Sequence, residues 1–83
     1  MDKITFANGD EYTCPFCAEN QNDNTIFVAV ADVSFVDAAA LFADATKTAE
    51  MTFAGNTYTG YTELRGLYVL PYGIQAALKR SNA

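Results

Sequence analysis

The chain has 83 residues, 51% hydrophobic and 18% charged, a composition too apolar for a disordered tail and a length that holds one domain, 1–83. Five Lys plus Arg against ten Asp plus Glu leave a net charge of −5, too few cations for ordinary nucleic-acid binding. No apolar run approaches the ~20 residues of a membrane-spanning helix. Met1-Asp2-Lys3 leads straight into an alternating pattern rather than a secretory leader, so a soluble protein made in a cytoplasm is expected.

In chain order, residues 3–7 alternate, Ile4 and Phe6 on one face, Lys3 and Thr5 on the other. Asn8-Gly9-Asp10 is a strong turn signal, because Asn and Gly both tolerate positive φ. Alternation resumes with Tyr12, Cys14 and Phe16 facing one way, which predicts a hairpin of 2–7 with 11–17. Pro15, lacking an amide hydrogen, puts the second strand at an edge or ends its pairing. Ala18 to Asn24 reads as a loop, polar from Asn20 onward. Ile26 to Ala31 is apolar throughout and suits a central strand covered on both faces.

The stretch Ser34 to Asp44 is the one whose apolar residues recur at helical spacing. Ser34 with Asp37 resembles a capping box, and Phe35, Ala38, Ala39, Phe42 and Ala45 fall on one side, with Leu41 at its margin. The pattern fades through Asp44 to Thr48, where threonines weaken helix propensity. Strand patterns return at 50–53 and 57–64, joined by a tight turn at Gly55-Asn56. Gly60 marks a bulge that re-aims Tyr61, and Arg65-Gly66 is either a second bulge in one long strand or a turn between two. Residues 67–70 stay extended, Pro71-Tyr72-Gly73 turns, and Ile74, Ala76 and Leu78 line the inner face of a last strand. Lys79 to Ala83 reads as a frayed polar end. The fold expected is α+β: one helix on a mainly antiparallel sheet, in the order β-β-β-α-β-β-β.

Cys14-Pro15-Phe16-Cys17 is the sharpest local motif. C-x-x-C supplies half a tetrahedral zinc site, but the chain has no histidine and no third cysteine. Closing the site requires carboxylates or a second chain. Ala18 also stands where such knuckles favour glycine. A redox pair asks for a helix N-terminus after the first cysteine, where a loop is expected instead. In the strand reading the sulfurs point to opposite faces, Cys14 inward as a small hydrophobe, and that bland reading is preferred. Metal binding at Cys14 and Cys17, by one chain or shared between two, remains the alternative. No catalytic residue stands out: a histidine base is lacking, the acids sit at turns and on the wet side of the helix, and no glycine-rich phosphate loop is present. No enzyme and no cofactor is expected. Tyr58, Tyr61, Tyr68 and Tyr72 crowd the C-terminal half; they either close the edge of a small core or provide partner contact, for which tyrosine is suited.

Three stretches together resemble small uncharacterised proteins encoded in bacterial phages and prophages. They are the opening Ile4-Thr5-Phe6-Ala7-Asn8-Gly9, the Ser34 to Asp44 helix with Thr48, and Thr57 to Leu64 with the closing Gly73 to Leu78. The resemblance implies a viral or mobile-element product in the bacterial host cytoplasm, or built into a virion, that acts through contacts. A protein partner or self-association into a homo-oligomer is expected, with no direct nucleic-acid or membrane contact. Two uses fit: a virion-associated or assembly accessory protein, or an acidic inhibitor of a host defence nuclease, as anti-CRISPR proteins are. A metal-bridged dimer through the cysteines is third.

Overall fold

In the computed structural model, which describes residues 2–81, the opening hairpin forms and then breaks early. Strand β1 (Lys3–Phe6) pairs antiparallel with β2 (Glu11–Thr13), Ile4 opposite Tyr12. Gly9 takes φ +92° at the turn, and Asp10 N donates to Asn8 Oδ1 at 3.1 Å. The second strand ends at Thr13, two residues before Pro15, and the chain crosses into another sheet as β3 (Phe16–Asn20). Cys14 N donates to Asp2 O, and Ala31 N to Thr13 O, both at 2.9 Å, which pins the crossing from either side.

The chain continues through β4 (Thr25–Val30), α1 (Phe35–Ala43), α2 (Ala45–Thr48), β5 (Glu50–Phe53), β6 (Asn56–Thr59), β7 (Glu63–Leu70) and β8 (Gly73–Lys79). Two four-stranded antiparallel sheets result, in the orders β2-β1-β5-β6 and β3-β4-β8-β7. The fold is therefore α+β and mainly antiparallel. The expected order β-β-β-α-β-β-β with one helix on one sheet is corrected to eight strands in two sheets, with two helices between the fourth and fifth strands, among the described residues. Two breaks cause the difference. Pro15 divides one expected strand into β2 and β3, and Gly60 (φ +85°), expected as a bulge within 57–64, instead lies beyond the end of β6 at Thr59, so that β6 and β7, like β2 and β3, belong to different sheets.

Helix α1 starts as its cap requires, with Asp37 N donating to Ser34 Oγ at 3.1 Å. Its buried residues are Ala38, Leu41 and Phe42, so the buried face is rotated toward Leu41; Phe35 and Ala45, expected inward, are exposed. Helix α1 ends at Ala43, where the pattern is expected to fade, and Asp44 is extended (φ −89°, ψ 100°). The Asp44 carboxylate accepts from Thr46 N at 3.0 Å and caps α2, a short helix that the threonines were expected to suppress. Arg65 is the bulge in one long β7, since the register slips between Leu64 and Gly66. The last strand runs as expected, with Ile74, Ala76 and Leu78 buried.

One core joins the layers. Ile4, Phe6 and Met51 from the first sheet and Ala38, Leu41 and Phe42 from α1 meet Ile26, Val28, Val30, Ile74, Ala76 and Leu78 on the inner face of the second sheet. The Phe6 ring stands edge-on to Phe42 at 6.1 Å and to Tyr12 at 5.5 Å. The expected frayed end is ordered at Arg80 and Ser81, whose amides donate to Asn24 O at 2.7 Å and Gly60 O at 3.0 Å. The remainder of that expectation, Asn82 and Ala83, lies outside the described residues.

Candidate functional site

Cross-strand register decides what each sheet shows to the outside, because directly opposed residues share a face. On the second sheet Phe16 opposes Ala29, Ala29 opposes Gln75, and Gln75 opposes Tyr68. The adjacent row is Ala18, Phe27, Ala77 and Gly66. All eight alternate with inward residues such as Cys17, Val28, Ala76 and Leu67, so both rows lie on the outer face. Six of the eight carry a methyl group or an aromatic ring, Gly66 has no side chain, and Gln75 alone carries an amide.

The long side chains of these rows form the surface and the small ones lie beneath it. Phe16 is 41% exposed and Tyr68 51%, while Ala29 is fully covered and Ala77 nearly so. A Cβ at Gly66 would come within 2.9 Å of the Tyr68 hydroxyl, so the ring lies back along its own strand over the glycine. In the following turn Tyr72, 47% exposed, donates to Gln75 Oε1 at 3.4 Å. Charges are confined to one end of the face, where Lys79 opposes Glu63 and Arg65 bonds Glu63. The middle of the face carries no charge.

The four tyrosines singled out by sequence therefore do not form one surface. Tyr68 and Tyr72 are exposed at this face; Tyr58 is half-buried opposite Met51, and Tyr61 is fully buried. Tyr61 sits in the link between β6 and β7 and donates its hydroxyl to Glu19 Oε2 at 2.5 Å. The Arg80 guanidinium lies 4.5 Å from the Tyr61 ring centre, reaches the same carboxylate at 3.3 Å and donates to Thr59 O at 3.1 Å. The hydrogen bond from Tyr61, then those from Gln21 and Arg80, hold the Glu19 carboxyl below the usual carboxylate range against the opposing effect of burial. Burial, then the bond to Glu19, pushes the Tyr61 phenol up to about 12. This triad locks the C-terminal strand to the rest of the fold.

Both cysteines are free, and they do not point to opposite faces as the continuous-strand reading requires. Cys14 is buried in the core with its thiol donating to Phe16 O at 3.2 Å, and Cys17 faces inward from β3 against the same core. The break at Pro15 resets the alternation between them. Burial pushes the Cys17 thiol up to about 12 and raises Cys14 as well, so both stay protonated at neutral pH, the opposite of what metal ligation or thiol chemistry asks. Among the described residues no three His, Cys, Asp or Glu side chains gather as a metal site, and no helix is long and apolar enough to cross a membrane. The open concavity at the end of β3 is lined by Glu19, Asn20, Gln21 and Asn22, polar groups without a converging acid–base pair.

Sequence reasoning missed Phe16, Ala18, Phe27 and Ala77 as residues of one outer face. The signal that finds them is the alternation of Phe16 to Asn20 once the strand is restarted after Pro15. Comparison with protein-family models, curated proteins and solved structures finds no match to this chain.

Proposed function

We propose that this chain is a non-enzymatic contact protein of the kind phages and prophages encode, a virion-associated or assembly accessory protein that binds a protein partner through the outer face of its second sheet. The observation that carries this reading is the uncharged middle of that face, where exposed Phe16 and Tyr68 share the surface with the covered Ala29 and Ala77. The fold already has a full core on the inner side, so this apolar surface is not needed to hold the chain together. Aromatic side chains held on a rigid sheet lose little freedom when a partner covers them.

The alternative, an acidic inhibitor of a host nuclease, draws on the net charge of −5. Mimicry of nucleic acid needs carboxylates aligned on one surface. Here Asp10 and Asp23 stand at turns, Asp37 and Asp44 on the helices, and Glu11 and Glu50 share the first sheet with Lys3, which favours the contact reading. The cysteine-bridged metal dimer is weakened by two inward, protonated thiols. The test is incorporation: assembled particles purified from cells carrying the wild-type gene should contain the chain, and particles from the Phe16→Lys gene should lack it although the variant accumulates folded. Equal incorporation of both would overturn the face, and absence of the wild-type chain from particles would overturn the virion role.

A further inference from the structure

The two ends of the second sheet are not equally protected. At one end β3 is five residues long and begins directly after Pro15. At the other, β7 is eight residues long and pairs only with β8 among the described residues. Natural sheets guard such an edge with charge, proline or a bulge. In β7 all of those devices sit at one end, as Glu63, Arg65 and the slip at Leu64/Gly66. The remainder, Gly66-Leu67-Tyr68-Val69-Leu70, is uncharged and rich in strand-forming residues, with Tyr68 and Val69 exposed and the other three half-buried, and Pro71 lies just beyond it.

Two exposed side chains in this segment point in opposite directions. Tyr68 is 51% exposed on the outer face, and Val69, its neighbour in sequence, is 70% exposed on the inner side in the row with Ile74 and Val30. A partner stacked on the outer face covers Tyr68 and leaves Val69 wet. A strand added beside β7 flanks both at once, and it satisfies the free backbone groups of the edge.

We infer that Gly66–Leu70 pairs antiparallel with the same segment of a second copy of this chain, which joins two four-stranded sheets into one of eight strands. The occupant follows from charge. Each chain carries −5, so a contact free of acid spares two copies like-charge repulsion at the interface, and this segment has no ionised group. A basic partner would find nothing here to pair with. An apolar strand facing its own copy about a two-fold axis is self-complementary, and the contact closes at two chains. The inference goes beyond the proposed function, because it uses the edge of the sheet instead of its face. Pairing would set two outer faces side by side and double the contact surface.

The test is sedimentation equilibrium of the full chain across a wide concentration range, with Val69→Lys and Thr57→Lys variants. Val69 is solvent-exposed, so its lysine variant is expected to fold, checked by an unchanged circular dichroism spectrum. Wild type and Thr57→Lys are expected at twice the chain mass, with Val69→Lys weakened at least ten-fold toward monomer. Amide exchange at residues 67–70 is expected to be slow in wild type and at least ten-fold faster in Val69→Lys. A monomeric wild type with fast exchange there, an undiminished dimer in Val69→Lys, or open-ended polymers would each overturn the inference. The two readings fail separately. Wild-type chain absent from particles but dimeric removes only the virion role, and a monomer still incorporated removes only the dimer.

Discussion

The outer face of the first sheet presents Lys3, Thr5, Glu11, Thr13, Thr52 and Thr57; that of the second presents Phe16, Ala18, Phe27, Ala29, Ala77 and Tyr68. Both faces belong to four-stranded antiparallel sheets whose inner sides feed the same core. The first is finished in hydroxyls and charges that hydrogen-bond to water or to each other, as Thr52 and Thr57 do at 3.2 Å. The second ends in methyls and rings. The core is filled from the inner sides of both sheets, and the contact function proposed above takes the difference between the outer sides as the mark of a docking face on the second.

The sharpest division falls within the tyrosines. Tyr61, inside, should be costly to remove and Tyr68, outside, cheap. Tyr61→Ala empties a fully buried aromatic site and leaves Glu19 and Arg80 without their shared partner, so a loss of about 3–5 kcal/mol in urea denaturation is expected. Tyr68→Ala should stay within about 1 kcal/mol, as surface substitutions do. Equal costs at the two positions would erase the inside–outside division.

The next effect is on binding. Phe16→Lys places a charge in the uncharged middle of the second face, and a 10- to 100-fold weaker partner complex, roughly 1.4–2.7 kcal/mol, is expected by titration calorimetry. Melting temperature should change little, because Phe16 already meets solvent.

These residues also show where sequence stops being sufficient. Local chemistry carried the Asn8-Gly9 turn, the Ser34 cap and the inward run Ile74, Ala76, Leu78, since each depends on neighbours a few positions away. It failed at β3, whose inward positions are Cys17 and Glu19, neither of which reads as core. Glu19 can turn inward only because Tyr61 and Arg80, 42 and 61 residues further on, satisfy its carboxylate. The same distance hides the outer face, which exists only once Phe16, Ala29, Gln75 and Tyr68 are brought into one row. The two-sheet split is likewise a matter of long-range pairing, β1 with β5 and β4 with β8.

The triad around buried Tyr61 gives the pH dependence a direction. Glu19 is held below its ordinary pKa, so its contribution is complete above about pH 4.3 and is lost as pH falls through the folded value. Glu19→Gln is expected to cost about 1–2 kcal/mol at neutral pH and to flatten the acid limb of the stability curve. In alkali the sign reverses. Tyr61 and Cys17 are both raised to about 12, so the stability they contribute is present below their unfolded values and fades as pH climbs toward 12. Denaturation midpoints measured across pH for wild type and Glu19→Gln separate the two limbs; identical acid limbs would remove Glu19 from the lock.

The smallest expected effect is the one that tests the contrast most directly. Thr57 is exposed on the first outer face, and its hydroxyl meets only Thr52. Thr57→Lys should move stability by no more than about 0.5 kcal/mol, since the lost hydroxyl contact is at the surface and lysine extends into water. Partner affinity should match wild type in the same titration that shows the loss for Phe16→Lys. The lysines are chemically identical and both stand on outer strand positions, so any difference in their effect belongs to the face and not to the added charge. If Thr57→Lys weakened the complex as much as Phe16→Lys, attraction to the whole acidic molecule, and not docking on one apolar sheet face, would govern association, and raising the salt concentration would then weaken both variants and wild type alike.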